Sequence, residues 1–567
     1  MKSFRNISIR GISWMFVVLS LCLCMKGKQV EAFSSPQYDY IVTNERYNVN
    51  ASDSAPDTEG IQKVLDMAIG SDKVITIYFP AGTYYIDKTL LVYSNTHIVL
   101  DDKAVVYRMD NLVDKMLLHN VDQNGKMDQV GGYNMSKNIT LEGGTFDGGN
   151  TNLANKGTDV IRFDHAENIT IKDCVVKNTY DCHIIELVGV KNGLVSGCTL
   201  EGFRYKKGKE KNYTYAREAI QLESAWTSNE KDLTDIESAW AKGSVIDGTS
   251  CQDVVVTDNT FIDVPCGVGQ HRYTKSGKYR NQNITICNNT IDCSADLKYC
   301  KTAITCCGTN NLNVYGNKIK GNYRFAIHVL ASDDVNIQNN SIENVTINGI
   351  MVDKGRVTMI SDNTIKNVKK HGISVGGGTV GAISNNVIIS PKNNGISVDA
   401  GEITDITGNT IKSTGKNGIS IASKKSSSKV NITNISKNNI TATKMSGIVV
   451  DIGKIENMNS NTIKKAGRHG ISVVGGTVGK GKQKSKGIQS NTITDSKQNG
   501  ITVSIKATVS SIGKNKISGA KNNGISLTEK AKVHWVVNNT IKKCKKHGIW
   551  NGLNSKVTIK GNKGQTE

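Results

Sequence analysis

The chain has 567 residues, 38% of them apolar and 6% aromatic, with 55 glycines and 5 prolines. Large apolar side chains are too few for a helical bundle, and beyond the N-terminus no run is long enough to span a membrane, which excludes an integral transporter. The formal net charge of +21 is uneven: residues 1–32 carry +4, residues 33–340 carry −7 and residues 341–567 carry +24.

At the N-terminus Lys2, Arg5 and Arg10 precede an apolar run from Trp14 to Cys24, and Val30-Glu31-Ala32 ends it with small residues. This pattern predicts a secretory signal peptide over residues 1–32, and hence a secreted or cell-surface protein. Residues 33–74 read as an arm with a capping helix: in Thr58–Ala68, Ile61, Leu65 and Ala68 fall on one helical face. Eleven cysteines follow the expected cleavage point without the paired spacing of structural zinc sites. Most are expected as buried filler, with room for one or two disulfides between Cys251 and Cys307.

From about residue 75 a repeat emerges, weakly to residue 340 and regularly over 341–567. Asn-x-Ile recurs with a Gly-Ile phrase nine residues after each Asn, as in Asn340/Gly349, Asn363/Gly372, Asn386/Gly395 and on to Asn539/Gly548. Successive glycines lie 23, 23, 23, 29, 23, 30, 24 and 24 residues apart, so every insertion falls after the Gly-Ile strand. A constant core with a variable loop at one place, built from short β-branched strands, predicts a coil of stacked rungs: a parallel β-helix. The recurrent Asn should form a ladder at a turn. In Gly372-Ile-Ser-Val the Ile and Val are expected inside, with Gly and Ser outside. At about 4.8 Å per rung, some 19 or 20 rungs would span roughly 90 Å.

The run Val74-Ile-Thr-Ile-Tyr-Phe79-Pro80-Ala81-Gly82-Thr83-Tyr84, then Asn95-Thr96-His-Ile-Val-Leu100 and Leu141-Glu-Gly-Gly144-Thr-Phe-Asp147-Gly148, resembles the pectate-lyase-like and polygalacturonase-like right-handed β-helix superfamily. The resemblance implies an all-β, right-handed parallel β-helix that handles polysaccharide. The polygalacturonase active-site pattern is not reproduced: there is no Asn-Thr-Asp strand and no Arg-Ile-Lys. His371, His469 and His547 precede the repeat glycine and read as turn residues.

Chemistry is sought where the repeat is least regular. Aligned on the Gly-Ile strand, Ala219-Ile-Gln221-Leu-Glu223, Gly267-Val-Gly-Gln-His271 and Ala326-Ile-His328 place Glu223 and His271 in one outward column, and Gln221 and His328 in the next. Glu223 and His271 are the candidate acid/base pair, with Arg217 and Glu218 beside them. Gln221, His328, Arg272, His183, Trp226 and Trp240 are the candidate substrate contacts, the two tryptophans lying in the excursion from about 203 to 250. Glu186 is expected to point inward. No metal or cofactor is expected; calcium has a weak claim, because these columns hold no dense aspartate cluster.

The expected function is lyase- or epimerase-like action on a uronate-containing glycan, with the groove between about 180 and 330. The alternatives are a glycoside hydrolase using a carboxylate pair such as Glu218 with Glu223 or Glu186, and a non-catalytic surface adhesin or wall-binding protein. The basic half, with Lys542-Lys543 and Lys545-Lys546, should carry a positive stripe for an acidic polysaccharide or anionic wall polymer. No aromatic residues interleave its lysines, which argues against nucleic acid.

Overall fold

Short strands of two to eight residues, most of them rich in Ile and Val, cannot bury their apolar side alone; stacking copies of themselves lets them do so. A computed structural model describes residues 38–565, apart from 111–115, 127–129, 150–158, 206–207, 213–215, 226–244, 271–272, 274–276, 296, 298, 423–428 and 529. Met1–Tyr38 and Asp39–Glu567 are separate units, and the expected signal segment, residues 1–32, lies outside the described residues.

Each turn of the coil visits three sheets in order, for example through Gly355–Ser361, Thr364–Lys366 and Ile373–Val375. All pairing is parallel and joins equivalent residues: Ile373, Ser374 and Val375 lie beside Ile396, Ser397 and Val398. The first sheet has twenty strands from Tyr40–Ile41 to Thr558–Lys560, of which Thr477–Val478 and Gly487–Gln489 share a rung between the same neighbours. That makes nineteen rungs among the described residues. The arm supplies one more strand than expected, because Tyr40–Ile41 pairs with Ile77–Tyr78. The expected cap is present as the helix Thr58–Leu65 and a following turn Asp66–Ala68, with Ile61, Val64, Leu65 and Ala68 buried.

The Asn ladder forms at the corner between the first and second sheets. Asp362, Asn385 and Ser460 hold φ of 58°, 57° and 56° just before an Asn, and the sharp bend turns that Asn side chain inside the coil. Asn363 donates its backbone N–H and its Nδ2 to Asn386 Oδ1, each at 3.0 Å, and Asn386 repeats both bonds to Asn409. The chain of side-chain amides continues from Asn259 to Asn562, and Cys198 donates its N–H to Asn259 at the start. Asn386→Ala would strand the backbone N–H of Asn363, whose Nδ2 keeps the Ile337 and Ser361 carbonyls, and the Ile360 carbonyl, which accepts from Asn386 Nδ2 at 2.8 Å. Each buried orphan costs about 1–3 kcal/mol, so we expect a loss of roughly 2–4 kcal/mol, read as a lower urea midpoint of the purified chain.

Gly372 does not share the outward side with Ser374, contrary to expectation. A Cβ on it would lie 2.5 Å from Ile388 Cγ2 and 2.7 Å from the Gly395 carbonyl, so the first residue of this strand faces inward at the corner and must be small. Cys293 and Cys300 are disulfide-bonded, within the expected interval. The other described cysteines are free; all are buried except half-buried Cys182.

Candidate functional site

On the third sheet the residue after the inward Ile faces away from the core. In the front rungs that column reads His119, Arg162, Glu186, Gln221, Gly269, Thr305 and His328, paired in register. Two residues further along each strand come Asp164, Val188 and Glu223. Asp159 starts the strand Asp159–Asp164, His183 lies just before Ile185–Val188, and Glu218 starts Glu218–Glu223.

Arg162 is the hub. Its Nε lies 2.9 Å from Asp164 Oδ1 and its Nη1 lies 2.8 Å from Glu186 Oε2. His119 Nε2 is 3.2 Å from Asp164 Oδ2. Around His183, Nδ1 stands 3.3 Å from Asp159 Oδ1 and 3.8 Å from Glu186 Oε1, and Nε2 stands 3.9 Å from Glu218 Oε2. Gln221 Nε2 donates to Glu223, and Cys266 Sγ lies 3.6 Å from Glu218 Oε1.

Burial raises the Asp164 carboxyl, but Arg162 and His119 outweigh it and hold the group well below the usual carboxylate range. Asp159 is held down in the same way, burial being overcome chiefly by His183. Glu186 goes the other way: burial, opposed by Arg162 and reinforced by Asp159, pushes it well above its usual value. One sheet face therefore holds ionised and proton-retaining carboxyls side by side, the electrostatic precondition for acid/base chemistry.

Gln221 and Glu223 face away from the core as expected, but neither they nor Glu218 beside them is open to solvent: each has a relative exposure of 0%. Excursions from the coil meet beside the neighbouring Asp164. His165, next to Asp164, has Nδ1 2.8 Å from the Gly132 carbonyl and Nε2 2.7 Å from the Val245 carbonyl, while Tyr133 donates to the Ser250 carbonyl at 2.9 Å. The expectation that Glu186 points inward is also corrected. Cys174 holds the ladder position, because Val175 pairs with Thr199 and Thr199 with Thr260. Ile184, the equivalent of Ala219, comes ten residues later instead of nine. This one-residue insertion turns Glu186 outward beside Gln221.

Among the other expected site residues, His183 joins the cluster. Half-buried Arg217 immediately precedes the strand Glu218–Glu223. His328 shares the Gln221 column three rungs further on, and its Nε2 pairs with Asp353 at 2.7 Å. His271, Arg272, Trp226 and Trp240 lie outside the described residues. The sequence reading missed Arg162, Asp164, Asp159 and His119. The signal was present: Val160-Ile-Arg162-Phe-Asp164 aligns residue for residue with Ala219-Ile-Gln221-Leu-Glu223.

His371 and His469 sit in the turn before the third sheet. His371 donates its backbone N–H to Asn348 at 3.2 Å, and His469 Nδ1 accepts from the N–H of Asn499 at 3.3 Å. Burial, aided by Lys370 and Lys416 for His371 and by Arg468 for His469, lowers both imidazoles to about 4. They remain neutral turn residues at physiological pH.

A second feature lies in the basic half, at the corner between the second and third sheets. Eight successive rungs place the segments 366–370, 389–393, 412–416, 441–445, 464–468, 494–498, 518–522 and 542–546 there in register. Sixteen of their residues are Lys or Arg, all exposed, against one acid, Asp495. The stacking runs through the backbone: Lys392 donates its N–H to the Val368 carbonyl, Lys497 to Ala466 and Lys545 to Ala520. This corner thus carries +15 of the +24 in residues 341–567, over about 35 Å of axis at the inter-strand spacing. The preceding segment, 343–347, has Glu343 and no base, so the ridge has a defined start.

Residues 325–482 match the family model described as a right handed beta helix region. The fold is a right-handed parallel β-helix. In sequence the chain is 26% identical over 289 residues to the plasmin and fibronectin-binding protein A of Streptococcus pneumoniae (strain ATCC BAA-255 / R6), an alignment covering 47% of this chain. It spans only 38% of the length of that curated relative. Among solved structures it is similar to PfbA, a surface adhesin of Streptococcus pneumoniae, with 17% identity, 76% of this chain and 93% of that chain covered, and a TM-score of 0.44. It is similar too to the A-module of the Azotobacter vinelandii mannuronan C-5 epimerase AlgE4, with 12% identity, 92% and 100% coverage, and a TM-score of 0.23. No helix among the described residues is long and apolar enough to cross a membrane.

Proposed function

We propose that the chain is an exported, surface-displayed binding protein whose basic ridge holds an extended anionic polymer, an acidic polysaccharide or wall polymer, without cleaving it. The observation that carries this reading is the ridge: sixteen bases against one acid, in register over eight rungs, on a rigid edge. Scattered surface lysines would serve solubility equally well; a single-sign line of this length creates a field that a flexible polyanion follows along its own axis. The match to a plasmin and fibronectin-binding protein supports a binding role over a catalytic one. Immobilised polyuronate and sulfated glycan columns, with a neutral glucan as control, test the proposal. Retention on the anionic columns only, weakened by salt and with the polymer recovered at full length, is the expected result. Equal retention on the neutral glucan would contradict it.

The convergence of Asp164 and Glu186 on Arg162, and of Asp159, Glu186 and Glu218 on His183, favours a second reading, lyase- or epimerase-like chemistry on a uronate glycan. Its arginine would neutralise the uronate carboxylate while a neighbouring base removes the adjacent proton. A carboxylate pair in the same cluster would instead serve hydrolysis. The complete burial of Glu218 and Glu223 places both below the binding reading. New ultraviolet absorbance from unsaturated uronates, lost in Glu223→Gln, would establish the lyase; new reducing ends without it would establish the hydrolase.

A further inference from the structure

The turn before the strand Ile185–Val188 brings three different metal-ligating groups together. Asp159, Cys182 and His183 each offer one ligand atom, and these atoms lie within 4.8 Å of one another. We propose that Asp159, Cys182 and His183 form a binding site for a borderline divalent cation of the zinc class, with a fourth position open to water.

The chemistry of the donors selects the ion. A thiolate, an imidazole nitrogen and one carboxylate oxygen suit Zn²⁺ or Co²⁺, which accept four mixed N, S and O ligands; calcium and magnesium require six or more oxygens that this site does not have. The fold supplies the geometry. Cys182 and His183 are adjacent on one turn, and Asp159 is on the rung before, where its Oδ1 already accepts the His183 backbone N–H at 2.9 Å. This bond fixes the carboxylate beside the imidazole, as second-shell bonds do at metal centres.

Further carboxyl groups lie close by. Glu218 and the proton-retaining Glu186 approach the His183 ring at 3.9 and 3.8 Å, so three buried carboxyl groups ring one imidazole. Burial, reinforced by Asp159 and Glu186, pushes the Cys182 thiol well above its usual value. A divalent ion would reverse that. Binding breaks the Cys182 S–H bond, forms the metal–sulfur bond and releases the proton to solvent; no electron is transferred. Cys182 differs from the other free cysteines among the described residues in being half-buried where they are buried.

The full chain, reduced and stripped with a chelator, is titrated with Co²⁺ and then Zn²⁺ while its electronic spectrum and bound metal are measured. One Co²⁺ per chain is expected, with an intense thiolate-to-cobalt band that Zn²⁺ abolishes. Cys182→Ser should remove that band, and Asp159→Asn should weaken binding at least tenfold. Because these side chains are packed, a variant that fails to fold is bypassed by alkylating the wild-type chain with and without Zn²⁺ and mapping the label by mass spectrometry. Zn²⁺ is expected to protect Cys182. Substoichiometric binding, a band that survives in folded Cys182→Ser, or equal alkylation of Cys182 in both states would overturn the site.

Discussion

Replacing Arg162 with alanine is expected to destabilise the front of the coil by roughly 3–5 kcal/mol, the usual cost of removing one partner from a buried charge pair. Arg162 is 2% exposed and is bonded on one side to Asp164 and on the other to Glu186. Without it Asp164 loses the guanidinium that holds it ionised, and Glu186 is left beside Asp159. The deficit is electrostatic as well as steric, so Arg162→Met, which keeps most of the volume, should recover only a small part of it. Adding Glu186→Gln to Arg162→Met removes one of the stranded carboxylates and should restore stability beyond the sum of the single effects. Urea midpoints of wild type, Arg162→Ala, Arg162→Met, Glu186→Gln and the double variant measure this. Equal midpoints for wild type and Arg162→Met would show that the cluster is not held by its arginine.

The second large effect concerns binding. Lys416, Lys444, Arg468 and Lys497 lie on successive rungs of the ridge and are exposed. Changing all four to glutamate alters the ridge by eight charges, from +15 to +7, without touching the core. Exposed ion pairs contribute about 0.5–1 kcal/mol each, so losing four should lower affinity for an acidic polysaccharide by about 2–4 kcal/mol, roughly 30- to 10³-fold. The matched control reverses Lys437, Lys454, Lys514 and Lys532, which are equally exposed but lie away from this corner. It makes the same change in net charge and should lower affinity far less. Similar losses in both sets would mean that total charge, not the ridge, attracts the polymer.

How much of this was legible follows from the repeat. The nine-residue interval from Asn to Gly crosses the second sheet and the turn to the third, so those columns, and with them the lysine positions, could be read directly from the sequence. The Asn ladder was equally plain, because a side-chain amide that must meet its copy one rung away cannot drift in register. Where the Asn marker is replaced by Cys174, the phase is lost: one extra residue before Ile184 was enough to turn Glu186 to the wrong side. Further forward, Arg162 and Asp164 have no Asn marker before them, and only their strand alignment with Gln221 and Glu223 reveals them. The burial of Glu218 and Glu223 was not legible at all. Burial on the outer side of a sheet follows from chain outside the repeat, and excursions such as Gly131–Tyr133 and Val245–Ser250, which meet beside His165, follow no period. The inward Gly372 was misread because strict alternation fails at a corner, where the first strand residue still faces the core.

Affinity for size-fractionated oligomers of one acidic polysaccharide, measured at fixed salt, bears most directly on the ridge. If superposed rungs present their lysines as one continuous line, binding should strengthen with every added unit until the oligomer is about 35 Å long, then level off. Full affinity at the shortest oligomer would mean a local pocket instead, and the aligned-ridge account would be wrong.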